Sequence, residues 1–338
     1  MTVTLSPHPR PADASPEPSV PAAGAAESRP GRRLDDPPLP PRLPGWRGTF
    51  AWALVRSVRP RQWVKNVLVL AAPMAAGVVH RPEVLGPTAV AFVLFCLASS
   101  AVYLVNDTID VLEDRRHPRK RFRPIAAGII PRWLAVALAV VLFAVALTAA
   151  VLLTRPALAG VLGAYVVIQL AYCLFLKNQP VIDLAVVASG FLLRGIAGGV
   201  AAGLALSQWF LLVAAFGSLF MVAGKRYSEL VVLGDAAATR KTLQEYSASY
   251  LRFVWSLSAG VACTAYCLWA FEMGRTQDGD VPWSTISIAP FVMAFLRYAR
   301  DVDKGAAGAP EEIVLGDRVL LVLGLLWAAL VGIGIYTR

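Results

Sequence analysis

Residues Val84 to Gly128 read VLGPTAVAFVLFCLASSAVYLV followed directly by NDTIDVLEDRRHPRKRFRPIAAG. The first part is apolar and, at 22 residues, long enough to cross a bilayer as one helix. The second part begins with amide and carboxylate side chains and continues as a dense basic segment. Another apolar run, 133–153, follows it. The stretch therefore predicts two membrane helices joined by a charged loop.

The rest of the chain repeats the apolar pattern. Of its 338 residues, 57% are hydrophobic and 16% are charged, and the mean hydropathy is +0.59, which lies outside the range of soluble globular proteins. Nine apolar segments approach spanning length: 66–80, 84–105, 133–153, 156–176, 181–203, 206–223, 253–271, 283–299 and 314–336. We therefore expect an all-α polytopic membrane protein with about nine transmembrane helices.

The Lys and Arg residues are distributed unevenly between the two sides of this predicted bundle. Beyond residue 65, the loops after spans two, four, six and eight carry sixteen of them, and the opposite side carries four. The positive-inside rule then places the N-terminus and both long loops in the cytoplasm, in a multi-pass protein of the plasma membrane. The net charge of +10 is explained by this topology, which argues against a nucleic-acid partner.

The first 45 residues differ in composition from the rest. Twelve of the 24 prolines lie in the first 44 residues, and such a segment cannot bury enough apolar surface to fold. We expect a disordered cytoplasmic tail, 1–45, that is dispensable for chemistry, and a transmembrane catalytic domain, 46–338. Residues 46–65 mix Trp with Arg, which is typical of an interfacial helix. Either this segment only anchors the chain, or Gln62, Lys65 and Asn66 face the active site.

Oxygen-bearing side chains at the start of the charged loop have helical spacing. Asn106, Asp110 and Asp114 are at i, i+4 and i+8, so on a helix they line one face, with Asp107 and Tyr103 close to it. Acidic residues at a helix C-terminus oppose the helix dipole, which argues for a bound cation. Mg²⁺ pairs one or two carboxylates with substrate phosphates. We predict Mg²⁺ ligands at Asn106, Asp110 and Asp114, and catalytic carboxylates at Asp110 and Asp107.

The basic segment 115–123 supplies phosphate-seeking donors directly after these carboxylates. His117, Lys120 and Arg123 are the preferred phosphate ligands. The remaining arginines of the segment could merely face lipid phosphates, and a purely topological role is the alternative for any single residue. Together with the carboxylates, the segment indicates a diphosphate site.

Further candidates lie near spans four and five. Lys177, Asn178 and Asp183 flank the short turn between these spans, on the same side as both long loops. We predict a catalytic role for Arg194, which lies deep in span five, because an intramembrane arginine is costly and by default functional. A buried structural pair with Asp183 or another acid is the alternative for Arg194.

The second long loop, 224–252, opens with GKRYSEL. Lys225, Arg226 and Tyr227 are candidate substrate ligands there. The three carboxylates of this loop are separated by six and ten residues, so they do not form the paired DxxxD motif that would hold a second Mg²⁺. The site is therefore expected to bind one Mg²⁺–diphosphate together with additional phosphate monoesters.

These motifs carry a resemblance to a known family. NDTIDVLEDRRHPRKRFRPIAAG resembles the first motif of the UbiA superfamily of intramembrane prenyltransferases, NDxxDxxxD followed by HPxKxxRP, and RPRQWVKN (59–66) resembles the beginning of that family's first helix. KRFRPIAAG, PVIDLAVVASGFLLRGIAGG (180–199), GKRYSEL (224–230) and YSASYLRFVWSLSA (246–259) are similar to the branch that acts on decaprenyl phosphate in cell-wall arabinan synthesis. The basic GKRYSEL, in place of the acidic second motif of aromatic prenyltransferases, points to that branch.

The resemblance implies helices around a central cavity that opens to the cytoplasm and laterally to the lipid bilayer. It implies Mg²⁺-dependent transfer of 5-phosphoribose from phosphoribosyl diphosphate to a polyprenyl phosphate, with release of pyrophosphate. Two alternatives stay open: an aromatic prenyltransferase that uses a prenyl diphosphate, and a transporter for a polyprenyl-linked or anionic solute. A homo-oligomer also stays open.

Overall fold

A computed structural model describes residues 50–233, 243, 245–275, 281–306, 313 and 316–336. The predicted tail, 1–45, lies outside the described residues. The described part is helical, and its helices are α1 (Phe50–Ser57), α2 (Ala71–Ala75), α3 (Pro82–Ile109), α4 (Val111–Arg116), α5 (Arg132–Leu153), α6 (Pro156–Leu174), α7 (Ile182–Ala202), α8 (Gln208–Leu233), α9 (Ala248–Gly274), α10 (Trp283–Ile286), α11 (Ile288–Asp303) and α12 (Arg318–Tyr336). Residues Pro60–Leu70 form a 3₁₀ segment between α1 and α2.

Seven of these helices are long and apolar enough to cross a membrane, namely α3, α5, α6, α7, α8, α9 and α12. Each corresponds to one predicted span, so the helical membrane fold is confirmed. The predicted number of nine is not confirmed within the described residues. Segment 66–80 folds as the end of the 3₁₀ segment, α2 and a turn at Gly77, where φ is 69°. Segment 283–299 is divided at Ser287, and the longer part, α11, spans about 24 Å.

The two central helices are α3 and α7, which are the most buried of the seven, whereas α5 and α12 expose most of their length. Small residues explain why α3 and α7 are the most buried, because Ala, Ser and Gly let neighbouring backbones approach closely in a membrane protein. At Gly198 of α7, the backbone of the 3₁₀ segment comes so near that an added Cβ would overlap the Val69 carbonyl. The 3₁₀ segment is thus docked against the centre of the bundle.

Successive long helices alternate in direction, so charged residues distant in sequence meet at one end of the bundle. Ion pairs between different elements lie there, among them Lys177–Asp110, Arg226–Asp183, Arg252–Asp303 and Arg297–Asp317. We call this end, with the ends of α3, α6, α8 and α11, the starts of α7, α9 and α12, and the loop 110–131, the charged end. Both long loops leave the bundle at it.

Candidate active site

Asp107 is held by two arginines at the charged end. Arg59 donates from Nη2 to both of its carboxylate oxygens, at 2.5 and 2.7 Å, and Nη1 of Arg123 lies 3.1 Å from Oδ1. The carboxylate is almost fully buried, with a side-chain exposure of 4%. Arg59 precedes the 3₁₀ segment and Arg123 belongs to the loop, so the predicted catalytic carboxylate Asp107 connects these two elements through its ion pairs.

Arg59 is not among the site residues predicted from the sequence, where it belongs only to the interfacial segment 46–65. It precedes Pro60 and adopts a left-handed conformation (φ 54°, ψ 61°), which is uncommon for a non-glycine residue. Its guanidinium also lies over the Tyr103 ring, 4.8 Å from the centroid. The available signal was its place in RPRQWVKN, directly before a proline.

Asp114 contacts the same arginine as Asp107. Nη1 of Arg123 lies 2.7 Å from Asp114 Oδ2, and Asp114 is buried. The two aspartates are seven residues apart, which also places them on one helix face. α3 ends at Ile109 and Asp110 has ψ of 10°, so α4 turns relative to α3. Burial raises the pKa of the Asp114 carboxyl, and the neighbouring Arg123 opposes that shift. The N–H of Asp114 still bonds to the Asp110 carbonyl at 2.8 Å, so the place of Asp114 among the metal ligands stays a prediction.

Asn106 and Asp110 face the end of α6 together. Asp110 forms an ion pair with Lys177, and its side chain is 18% exposed. The Cys173 thiol donates to Asn106 Oδ1 over 3.8 Å. The amide of Asp110 still bonds to the Asn106 carbonyl at 2.9 Å, which keeps the two side chains one turn apart. Asn106 and Asp110 are half-buried, whereas Asp107 and Asp114 are buried.

Within the part of the chain that the structure describes, no three His, Cys, Asp or Glu side chains converge as a metal site. The chemistry of the donor set still fits Mg²⁺, because this ion retains waters and uses one or two carboxylates beside substrate phosphates. One amide oxygen from Asn106 and one carboxylate from Asp110 match that requirement. Asp107 and Asp114 are buried and each pairs with an arginine, so they are less accessible to an ion than Asp110.

The basic loop is folded by its own side chains. His117 Nδ1 accepts the backbone N–H groups of Arg119 and Lys120, both at 3.2 Å, and so caps the 3₁₀ turn Lys120–Phe122. Arg115 donates from Nε to the Ala126 carbonyl at 3.0 Å, so it does not simply face lipid. Lys120 is half-buried beside this turn. Of the three predicted phosphate ligands, Arg123 pairs with Asp107 and Asp114, whereas the roles of Lys120 and His117 as phosphate ligands stay predictions.

A second cluster joins α7 and α8. Arg226 Nε lies 3.4 Å from Asp183 Oδ2, and Arg226 Nη1 lies 3.2 Å from Glu229 Oε2. Asp183 is buried and also accepts the Tyr246 hydroxyl. Lys225 lies 4.0 Å from Glu229. The predicted ligands Asp183 and Arg226 are therefore partners of each other, and Lys225 is the more exposed cation of the GKRYSEL motif.

Tyr227, the third candidate of that motif, has a buried ring. Arg252 donates to its hydroxyl at 2.7 Å, and Arg252 also pairs with Asp303 at 2.9 Å. Tyr227 thereby links α8 to α9 and α11 at the charged end. The structure gives it a packing partner on each side, and its hydroxyl bonds to protein groups.

Arg194 and Asn66 meet in the packed core. Arg194 Nε donates to Asn66 Oδ1 at 2.7 Å, Nη1 to the Gly190 carbonyl at 2.5 Å, and Nη2 to the Tyr165 hydroxyl at 3.0 Å. Asn66 is fully buried and also donates to Ser99 Oγ at 3.3 Å. These contacts correct two interpretations. Arg194 pairs with neutral groups, not with Asp183, and Asn66 faces the core, because the 3₁₀ segment turns it toward α7.

The remaining candidates lie at intermediate depth. Gln62 and Lys65 are half-buried on the 3₁₀ segment, Tyr103 is half-buried on α3 beside Arg59, and Asn178 is exposed after the 3₁₀ turn Leu176–Asn178. None of them is in the core, so each retains access to a ligand at the charged end.

Two apolar cavities lie along the helices. One, of about 360 Å³, lies between α8 and α9 and is lined by residues such as Trp209, Leu257 and Leu268. The other, of about 190 Å³, lies between α7 and α8 near Ser189 and Phe216. Neither includes Asp110 or its neighbours, so these cavities do not define the polar site.

Comparison with known proteins agrees with the fold and the motifs. Residues 67–315 match the model of the UbiA prenyltransferase family. Relatives named decaprenyl-phosphate phosphoribosyltransferase occur in Mycobacterium tuberculosis, at 57% identity over 82% of this chain and 93% of the relative, and in Mycolicibacterium smegmatis, at 53% identity over 84% and 92%.

A solved structure of a UbiA homolog from Archaeoglobus fulgidus, bound to GPP and Mg²⁺, superimposes with a TM-score of 0.63 at 14% identity, covering 84% of this chain and 99% of that one. At that identity the likeness concerns the fold alone. The family match and the two relatives cover most of this chain. This integral membrane protein belongs to the UbiA prenyltransferase family.

Proposed function

We propose that this protein transfers 5-phosphoribose from phosphoribosyl diphosphate to polyprenyl phosphate, of the decaprenyl class, for the synthesis of cell-wall arabinan precursors. The observation that carries the proposal is the charge balance at the charged end. Of the three aspartates of the first motif, Asp110 has the most exposed side chain, and it pairs with Lys177, whereas Asp183 and Glu229, near the second loop, pair with Arg226. The activity named for relatives at 53% and 57% identity supports the same assignment.

The substrates explain the surplus of cations. The donor carries a diphosphate and a 5-phosphate, and the acceptor carries another phosphate, so one divalent ion cannot neutralise them all. Lys65, Lys120, Lys177 and Lys225 come from four different elements of the charged end. Lysine binds phosphate as a point charge, which suits several phosphates in different orientations. A prenyl diphosphate donor would bring fewer anionic groups to the same cations.

Asn106 and Asp110 would hold the Mg²⁺ ion. When bound, this ion would stabilise the charge that develops on the departing pyrophosphate. Lys177, already in contact with Asp110, is placed to bind an oxygen of the same diphosphate. Arg59 and Arg123 would hold Asp107 and Asp114 and thereby keep the loop and the 3₁₀ segment in position.

In the transfer step, an oxygen of the lipid phosphate attacks ribose C1 while the bond from C1 to the diphosphate oxygen breaks, with inversion at C1. The lipid phosphate needs no strong general base, because the second pKa of a phosphate monoester is about 6. The contribution of the protein is therefore positioning and electrostatic stabilisation.

The charged end is proposed to face the cytoplasm, with the N-terminus on the same side. The excess of Lys and Arg in its loops supports this orientation through the positive-inside rule. The substrate phosphoribosyl diphosphate is water-soluble, so a site at the cytoplasmic membrane surface would receive it directly, while the lipid acceptor would enter from the bilayer.

The test uses purified protein with labelled phosphoribosyl diphosphate, polyprenyl phosphate and Mg²⁺. We expect a labelled lipid that is lost when EDTA replaces Mg²⁺ and when Asp110→Ala replaces the wild-type protein. A parallel reaction contains geranyl diphosphate and 4-hydroxybenzoate. A prenylated benzoate with no phosphoribosyl lipid would refute the proposal in favour of an aromatic prenyltransferase. Transport of labelled polyprenyl phosphate across proteoliposomes with no covalent product would refute it in favour of a transporter.

A further inference from the structure

The connection between α6 and α7 contains an unusual turn at Val181. Its backbone has φ 67° and ψ −47°, and the N–H of Ile182 donates to the Pro180 carbonyl at 2.7 Å. This is a γ-turn of the rare, strained kind, with a β-branched residue at its centre. The turn therefore needs contacts from elsewhere in the fold to persist.

The Tyr246 hydroxyl supplies such contacts. It accepts the backbone N–H of Val181 at 2.6 Å and donates to Asp183 Oδ1. Tyr246 is 5% exposed and lies directly before α9, 65 residues from the turn in sequence. Burial, together with the hydrogen bond to Asp183, raises the pKa of the Tyr246 phenol, so the hydroxyl keeps its proton for that bond. The neutral Tyr246 hydroxyl is thus bonded both to the Val181 N–H in the turn and to the Asp183 carboxylate at the start of α7.

The held turn is close in sequence to Lys177. Only three residues separate Lys177 from Val181, and the N–H of Asp183 bonds back to the Gln179 carbonyl at 3.0 Å. The connection is therefore short and internally bonded, so its conformation fixes where Lys177 emerges. Lys177 in turn contacts Asp110. The geometry links Tyr246 on one side of the charged end to the proposed diphosphate ligands on the other.

We propose that Tyr246 is a positioning residue: its hydroxyl holds the γ-turn at Val181 and thereby places Lys177 beside Asp110 for catalysis. The proposal rests on the proposed function, in which Asp110 and Lys177 hold the diphosphate end of the donor. Tyr246 itself touches no reacting atom. Its effect is on turnover through the placement of Lys177, and not on binding of the lipid acceptor.

The test is Tyr246→Phe, which keeps the ring and its stacking on Tyr250 (centroids 5.8 Å apart, 9° between planes) and removes only the hydroxyl. The matched control is Tyr250→Phe, in which the exposed member of the same stacked pair loses its hydroxyl. We expect Tyr246→Phe to lower kcat at least tenfold with an unchanged KM for polyprenyl phosphate, and Tyr250→Phe to retain wild-type turnover.

A second variant tests the route through the turn. Glycine adopts positive φ without steric cost, so Val181→Gly in the Tyr246→Phe background should recover most of the lost kcat. Amide hydrogen exchange at residues 176–182 should be faster in Tyr246→Phe than in Tyr250→Phe, and this readout needs no substrate. Equal kcat and equal exchange in the two Phe variants would overturn the proposal, and so would a loss of kcat that Val181→Gly does not recover.

If the wild-type protein forms no phosphoribosyl lipid, the proposed function fails, and the exchange comparison alone decides the role of Tyr246 in holding the turn.

Discussion

Replacing Gly198 by alanine tests whether the docking of the 3₁₀ segment on α7 organises the charged end. A Cβ at this position would lie 2.7 Å from the carbonyl carbon of Val69 and nearer still to its oxygen. Ordinary contact of a Cβ begins at 3.4 Å, so the backbone of the segment must retreat by at least about 0.7 Å, the difference between these distances. The obstacle is main chain and cannot be relieved by a rotamer change.

That displacement acts on contacts at both ends of the segment. Arg194 lies one turn before Gly198, and its 2.7 Å bond to Asn66 would lengthen past the usual limit of about 3.2 Å. Overpacking costs about 1–3 kcal/mol, and losing a hydrogen bond to a charged group costs about 1.5–3 kcal/mol. Alanine recovers about 1 kcal/mol of helix propensity. The free energy of unfolding should therefore fall by roughly 2–5 kcal/mol.

The assay is thermal unfolding of the purified protein in detergent, together with the rate of phosphoribosyl transfer. Gly163→Ala on α6 is the matched control, because nothing lies within 4 Å of the Cβ it would add. We expect Gly163→Ala to unfold at or above the wild-type temperature and Gly198→Ala to unfold clearly below it.

Transfer by Gly198→Ala should also fall by about 10²-fold, because Arg59, at the start of the same segment, holds Asp107, and shifts of about 1 Å have effects of that size. Equal melting temperatures and equal turnover in Gly198→Ala and Gly163→Ala would refute this reasoning.

Three further predictions concern single charged residues. Asp110→Ala should abolish Mg²⁺-dependent transfer with an unchanged melting temperature, because Asp110 is partly exposed, and near-normal turnover at saturating donor would contradict its role as a metal ligand. Asp114→Asn should flatten the pH dependence of the melting temperature. The raised pKa of Asp114 means that its contribution to stability is fully present below its ordinary pKa of about 4 and is lost as pH rises through the raised value; identical pH profiles would count against this. Lys120→Glu should raise the apparent KM for phosphoribosyl diphosphate about tenfold, because it reverses a charge beside the anion, and this increase should shrink at raised salt, which screens the interaction. Arg119→Glu, an exposed neighbour on the same loop, is its control, and equal KM values for the two variants would exclude Lys120 as a phosphate ligand.

The membrane helices could be predicted because the bilayer leaves little choice. A run of about 20 apolar residues must satisfy its backbone internally, so it forms a helix whatever its neighbours are. Seven predicted spans are such helices. The exceptions are informative. Pro73 and Gly77 break segment 66–80 into shorter elements, and Ser287 bonds to the Ser284 carbonyl at 2.6 Å where segment 283–299 divides.

The first motif could be located from its sequence, but the roles within it could not. Helical spacing alone placed Asn106, Asp110 and Asp114 on one face, and it could not anticipate the turn at Asp110 that brings Asp114 to Arg123. A seven-residue spacing fits a helix face as well as a four-residue spacing does. The accessibility of each carboxylate depends on which cationic side chains the tertiary fold places beside it.

The sequence by itself determined a helical membrane protein whose charged loops gather on one side, because hydropathy and charge act locally. It also predicted the residue types of a metal–diphosphate site. Only the tertiary structure decided the pairs: Arg59 with Asp107, Lys177 with Asp110, and Arg194 with Asn66, at separations of 48, 67 and 128 residues. The physical reason is that a buried charge must find a partner within about 3 Å, and only the packing of the helices sets which residues come that close.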